Sequence, residues 1–151
     1  MKEFTNIDDI LDFAIREEQS AIDFYMFLAS KSKNHQSKTI FQEFAEEEIR
    51  HKANLIRVKD QGFFQVDATK VTDLKIADYL VDVKPTPDMP YQESLILAMK
   101  KEKAAFKLYT TLAERATSPD IKTLFYALAQ EESKHKLRFE MEYDDYILRE
   151  N

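Results

Sequence analysis

The chain has 151 residues, a formal net charge of −6 and no cysteine. Without thiols there are no disulfides, thiolate metal sites or cysteine nucleophiles, and the acidic balance offers no general attraction to a phosphate backbone, so nucleic acid is not an expected partner. A single glycine and four prolines are too few for the turns of an all-β fold, whereas 33% charged and 44% apolar residues suit amphipathic helices.

The first element is a helix over Ile7 to Ala29, with Ile7, Leu11, Ala14, Ala21, Tyr25 and Leu28 at alternating steps of four and three. Lys31-Ser32-Lys33 reads as a turn and Asn34 as the cap of a second helix over 34–58, carried by Phe41, Phe44, Leu55 and Val58. Gln61-Gly62 ends that helix, and a connector over about 59–90 follows, in which Asp73 to Leu80 is expected as a short helix. Pro85-Thr86-Pro87 breaks the chain before a third helix from about Pro90 to Ala113, with Asp88 as its expected cap. The fourth helix opens at Ser118-Pro119-Asp120, a cap followed by proline at the first helical position, and runs through Phe125, Leu128 and Phe139. No run approaches the roughly 18 apolar residues of a membrane span. The N-terminal residues lack the basic-then-apolar pattern of a secretory leader, so a cytoplasmic protein without membrane partners is expected.

A constant shift of 84 positions lays the first two helices on the last two. Leu11, Ala14, Glu18, Ala21, Tyr25 and Leu28 then meet Leu95, Ala98, Glu102, Ala105, Tyr109 and Leu112, while Phe41, Glu47, Glu48, His51 and Lys52 meet Phe125, Glu131, Glu132, His135 and Lys136. Shared helix chemistry would match alanines and leucines, but not Glu, His and Tyr as well. The chain therefore reads as one all-α domain over 1–151, with hairpin repeats at about 7–58 and 91–142. A long crossover lets the two hairpins pack as a four-helix bundle.

Polar residues interrupt the apolar stripes in the middle of every helix. They are Glu18 on the first, Glu48 and His51 on the second, Glu102 on the third, and Glu132 and His135 on the fourth. Four unpaired carboxylates in a core would be held apart by desolvation and repulsion, and their pKa values would rise. No lysine or arginine lies on the stripes at that level, whereas two divalent cations would cancel the charge. One Glu from each of two helices and Glu-x-x-His from each of the others is the ligand set of dinuclear carboxylate bundles. Here the set reads Glu18, Glu48-Ile49-Arg50-His51, Glu102 and Glu132-Ser133-Lys134-His135.

Neighbouring acids weigh differently. Glu17 aligns with Lys101 and Glu46 with Gln130, so both are read as solvated. Glu47 and Glu131 do align, but each sits about 100° around the helix from the stripe, away from the ligand face. His35 aligns with Pro119 and is expected at the surface. Tyr25 and Tyr109 lie two turns beyond Glu18 and Glu102; each is either an aromatic core filler or a hydroxyl that orients a ligand carboxylate from another helix.

With these motifs the chain resembles the ferritin-like diiron-carboxylate superfamily, in its rubrerythrin-like branch, over nearly its whole length. The resemblance implies two iron ions per chain and chemistry with hydrogen peroxide or dioxygen. The metal ligands would be Glu18, Glu48, His51, Glu102, Glu132 and His135, with Glu48 or Glu132 among the bridging carboxylates. Two departures stand out. Full rubrerythrins carry a four-cysteine rubredoxin domain, which this chain lacks, so a separate donor such as a rubredoxin-like protein would supply electrons. They also place an extra glutamate one turn from the shared one on the third helix, where this chain has Ala98, Met99, Ala105 and Phe106.

The ligands leave open a peroxidase, a ferroxidase and a non-redox zinc-loaded bundle, and manganese or zinc could replace iron. A homodimer is expected, with Phe63, Phe64 and the connector as its apolar surface.

Overall fold

Asn6 opens the first helix: its backbone is extended and its side chain accepts the amide of Asp9, satisfying one of the free donors of the first turn. In this computed structural model, which describes residues 6–62, 79–81 and 83–150, helix α1 spans Ile7–Lys31 and ends with the Ser32 amide on the carbonyls of Leu28 and Ala29. Helix α2 spans His35–Gln61. Asn34 caps it through the amides of Gln36 and Ser37, as the sequence predicts. Gly62 terminates it in the left-handed region at φ 63°, where a Cβ would be strained.

Helix α3 spans Tyr91–Arg115, and here the expected cap is wrong. Pro90, not Asp88, occupies the N-cap position, and it offers no side-chain bond. The fixed φ of proline, −59°, sets the helix start, and Ser94 ties the first turn by donating its amide and hydroxyl to the Pro90 carbonyl. Helix α4 spans Pro119–Glu150, with proline at its first position and the Ser118 carbonyl accepting from the Lys122 amide.

Among the described residues there are four helices and no strand, arranged as two hairpins, α1 with α2 and α3 with α4. The hairpins meet along α1 against α3 and α2 against α4, giving an all-α four-helix bundle. None of the helices is long and apolar enough to cross a membrane. The expected connector helix lies outside the described residues except at its end, where Tyr79 is in a turn and Leu80 in no regular element. Phe63 and Phe64 also lie outside them.

Two apolar clusters fill the bundle. One joins Leu11 and Ala14 of α1 to Leu55 and Val58 of α2, Leu108 and Leu112 of α3, and Phe125 and Leu128 of α4. The other joins Tyr25 and Leu28, Phe41 and Ala45, Leu95 and Ala98, and Phe139. On each helix the residues between the clusters are the polar ones: Glu18, Glu48 with His51, Glu102, and Glu132 with His135, all buried. A polar layer thus sits between two apolar ones at mid-height. Beyond the second cluster Glu142 of α4 accepts from Ser37 at 2.8 Å and Tyr91 at 3.0 Å, fastening α4 to α2 and α3.

Candidate metal centre

The six residues expected from the stripes come together, although they belong to four helices. Glu18, Glu48, His51 and Glu132 form one group whose candidate ligand atoms all lie within 4.8 Å of one another, and Glu48, Glu102, Glu132 and His135 form a second. Glu48 and Glu132 belong to both groups, one from each hairpin. Each imidazole turns Nδ1 into the cluster. His51 Nδ1 lies 2.9 Å from Glu132 and 3.6 Å from Glu48, while His135 Nδ1 lies 3.1 Å from Glu48 and 3.6 Å from Glu102.

These groups are close without being satisfied. Glu18 Oε2, Glu48 Oε1, both oxygens of Glu102, Glu132 Oε1 and Nδ1 of both histidines are buried and lack an aligned hydrogen-bond partner among the described residues. Buried polar atoms in proteins are normally paired, so a concentration of unpaired acceptors needs a ligand. Two divalent cations match both the count of carboxylates and the two overlapping groups. The cluster fits a diiron site.

Charge in the metal-free cluster is not distributed evenly. Burial, reinforced by the neighbouring carboxylates, holds Glu48 and Glu102 well above the ordinary carboxylate range. Glu132 goes the other way, against the expectation of a general rise. Burial would lift it, but the closely facing Glu102, His51 and Glu48 bring it down to about 2. Burial opposes the charge on His51, yet the nearby carboxylates of Glu132, Glu18 and Glu48 outweigh it and raise its pKa.

The far side of each imidazole carries a finding that the stripes did not predict. His51 Nε2 is hydrogen-bonded to Glu131 of α4, and His135 Nε2 to Glu47 of α2. These two glutamates are partly exposed and stand off the ligand face, as the helical projection required. Because α2 and α4 run antiparallel at this level, each reaches across to the histidine of the opposite hairpin. Their conservation across the 84-residue repeat was the available signal, since Glu17 and Glu46 are not kept. A carboxylate behind a metal-binding imidazole fixes the ring and its tautomer, and raises its basicity.

The tyrosines divide the two roles foreseen for them. Tyr109 donates its hydroxyl to Glu18 Oε1 across the α1–α3 interface, and burial raises its pKa. Tyr25 is wholly buried against Phe139, Phe44 and the edge of His135, and its hydroxyl has no partner among the described residues. Phe44 in turn stacks on His135 at 4.0 Å, closing that side to water.

A cavity of about 30 Å³ adjoins the cluster. Glu18, Glu48, Glu102, Glu132, Tyr25 and Tyr109 line it, with Tyr79 and Val81 from the connector. Glu17 and Lys101 line it as well, which corrects the reading of Glu17 as solvated; Lys101 stands off the stripe, beside Glu102. Burial raises the pKa of Glu17 and lowers that of Lys101, and their mutual attraction opposes both shifts. Lys101 bonds Ser20 of α1 at 3.3 Å. Glu46 and His35 are exposed, as expected.

Comparison with known proteins agrees with this architecture. A ferritin-like diiron-carboxylate protein from Thermotoga maritima superposes with a TM-score of 0.76 at 22% identity, over 97% of this chain and 99% of that one. A hypothetical protein from Pyrococcus furiosus superposes with a TM-score of 0.72 at 26% identity, over 92% of this chain and 89% of that one. No curated protein matches by sequence. The family model for rubrerythrin matches residues 9–143, a span that contains all four helix centres and the whole carboxylate–histidine layer. On that match and that layer, the chain belongs to the rubrerythrin family.

Proposed function

We propose that this chain is a non-haem diiron oxidoreductase that reduces hydrogen peroxide to water with electrons from a separate donor. The observation that carries the reading is the pair of overlapping Glu–His groups, joined through Glu48 and Glu132 and rich in unpaired buried oxygens. Membership of the rubrerythrin family supports iron as the metal. Glu18, His51, Glu48 and Glu132 would hold one ion, and Glu102, His135 with the same two shared carboxylates the other. Two ferrous ions so held would supply the two electrons that peroxide reduction requires.

The chain's own residues supply the remainder. Glu131 and Glu47 hold the imidazoles in place from behind, and Tyr109 fixes Glu18. Phe44 and Phe139 keep water from the His135 side. Reducing one peroxide to two waters consumes two protons and two electrons. In this reading a separate, rubredoxin-like protein returns the electrons.

One observation favours a second reading, that of a ferroxidase. Next to Glu102 the helix offers Ala98, Met99, Ala105 and Phe106 in place of a further carboxylate, leaving fewer acidic groups to retain iron after oxidation. Rapid mixing of anaerobic ferrous protein with hydrogen peroxide and, separately, with dioxygen distinguishes these readings. Preference for peroxide, with iron retained through repeated reduction, is the expected result. Fast oxidation by dioxygen with iron leaving the site would establish the ferroxidase. Inertness to both oxidants, with tight zinc binding, would make the metal structural.

A further inference from the structure

The repeat places two tyrosines, Tyr25 and Tyr109, at equivalent positions on α1 and α3, and both line the cavity beside the carboxylate cluster. They do not behave equivalently. Tyr109 spends its hydroxyl on Glu18, whereas that of Tyr25 is fully buried and unpaired among the described residues. Glu102, the residue that pseudosymmetry would assign to Tyr25, likewise has both oxygens unpaired among the described residues.

Packing accounts for the ring of Tyr25 but not for its hydroxyl. The ring sits 5.3 Å from Phe139, 6.2 Å from Phe24 and 6.3 Å from both Phe44 and His135. A phenylalanine would make the same contacts, and phenylalanine is the residue this wall otherwise uses. A buried hydroxyl without an acceptor is unfavourable and calls for a partner. The cavity that Tyr25 lines, about 30 Å³, has room for a ligand of two or three heavy atoms, since a single water needs roughly 10–15 Å³ measured the same way.

We propose that the Tyr25 hydroxyl is the hydrogen-bond donor that docks a small acceptor ligand, of the peroxide, dioxygen or azide class, in this cavity beside Glu102. The proposal rests on reading the cluster as a two-metal site. It makes the pseudosymmetric centre functionally lopsided: Tyr109 immobilises Glu18 on one side, and Tyr25 receives the exogenous ligand on the other.

Azide titration of the iron-loaded, oxidised protein, followed by absorption, tests this in the wild type, Tyr25→Phe and Tyr109→Phe after iron has been counted in each. With two ions bound, Tyr25→Phe should weaken azide binding about tenfold, equivalent to about 1.4 kcal/mol, and Tyr109→Phe less than about twofold. Thermal melting of the metal-free forms provides a second readout. Tyr25→Phe should melt at or above the wild-type temperature, since it removes an unpaired group, whereas Tyr109→Phe should melt lower. Unchanged azide affinity in a Tyr25→Phe protein holding two ions overturns the docking role and leaves the two-metal reading standing. A lower melting temperature for metal-free Tyr25→Phe also overturns it, because the hydroxyl would then be bonded within the fold. A wild type that holds no metal removes both readings.

Discussion

The imidazole of His51 is held from behind by Glu131, a carboxylate of the opposite hairpin, and the same bond recurs between His135 and Glu47. Each hairpin thus supplies a histidine to the centre and a glutamate to steady the other hairpin's histidine. Removing such outer partners usually costs 10–100-fold in metal affinity without removing the site. Glu131→Ala and Glu47→Ala should each weaken metal binding by about that factor while two ions still bind at saturation. Glu46→Ala, on the exposed face, should leave affinity unchanged. Calorimetric titration of the metal-free variants with Zn(II) measures both, and equal loss from Glu46→Ala would contradict the assignment.

Glu48 and Glu132 belong to both ligand groups, whereas Glu18 and Glu102 belong to one each. Glu48→Ala or Glu132→Ala should therefore abolish loading of both ions. Glu18→Ala and Glu102→Ala should each leave one ion per chain. Elemental analysis after anaerobic reconstitution separates the two patterns. Identical stoichiometry in all four variants would mean that no carboxylate is shared.

The unequal proton affinities of the cluster predict an unusual pH profile for the metal-free protein. Glu48 and Glu102 hold protons more tightly folded than unfolded, so their burial destabilises the chain at neutral pH, and the penalty is relieved as pH falls toward about 4.5. His51, whose pKa is raised, adds stability that is complete below its unfolded value of about 6.5 and lost at higher pH. Glu132, lowered to about 2, contributes stability above about 4.5 that is lost as pH falls to its folded value. The metal-free melting temperature should thus peak near pH ~5, lower at both pH ~7.5 and pH ~3. Saturating Fe(II) or Zn(II) displaces those protons and should move the maximum toward neutrality. Differential scanning calorimetry with and without metal checks the direction.

Phe139 is wholly buried between Tyr25, Phe41 and Phe44, with ring centroids 5.3–5.5 Å away. Truncation to alanine would open a cavity on the His135 side of the centre. Phe139→Ala should cost about 3–5 kcal/mol in chemical denaturation. Phe139→Leu, which keeps most of the volume, should cost appreciably less. Comparable losses from both would show that the aromatic cluster repacks freely.

Much of this centre was legible in one dimension. Helical periodicity and the constant shift of 84 residues identified four helices and their pairing in hairpins. Glu18, Glu48, His51, Glu102, Glu132 and His135 stood out because a polar residue on an apolar stripe must enter the core with its neighbours, whatever the helix packs against. Local chemistry misled only where a neighbour intervened, as at Asp88, where the rigid backbone of Pro90 begins the helix instead.

The tertiary structure decided which of those residues meet. A helical projection places Glu47 and Glu131 about 100° off the stripe, away from the ligand face, and gives them no partner, since it contains no second helix. Only the antiparallel approach of α2 and α4 brings each to the opposite histidine. The same holds for the sharing of Glu48 and Glu132, for the placing of Glu17 and Lys101 beside the cavity, and for the unlike fates of Tyr25 and Tyr109. Sequence fixes the face a side chain takes on its own helix. Distances between helices are set by how the four apolar faces pack, and the pairing of groups across the centre depends on those distances.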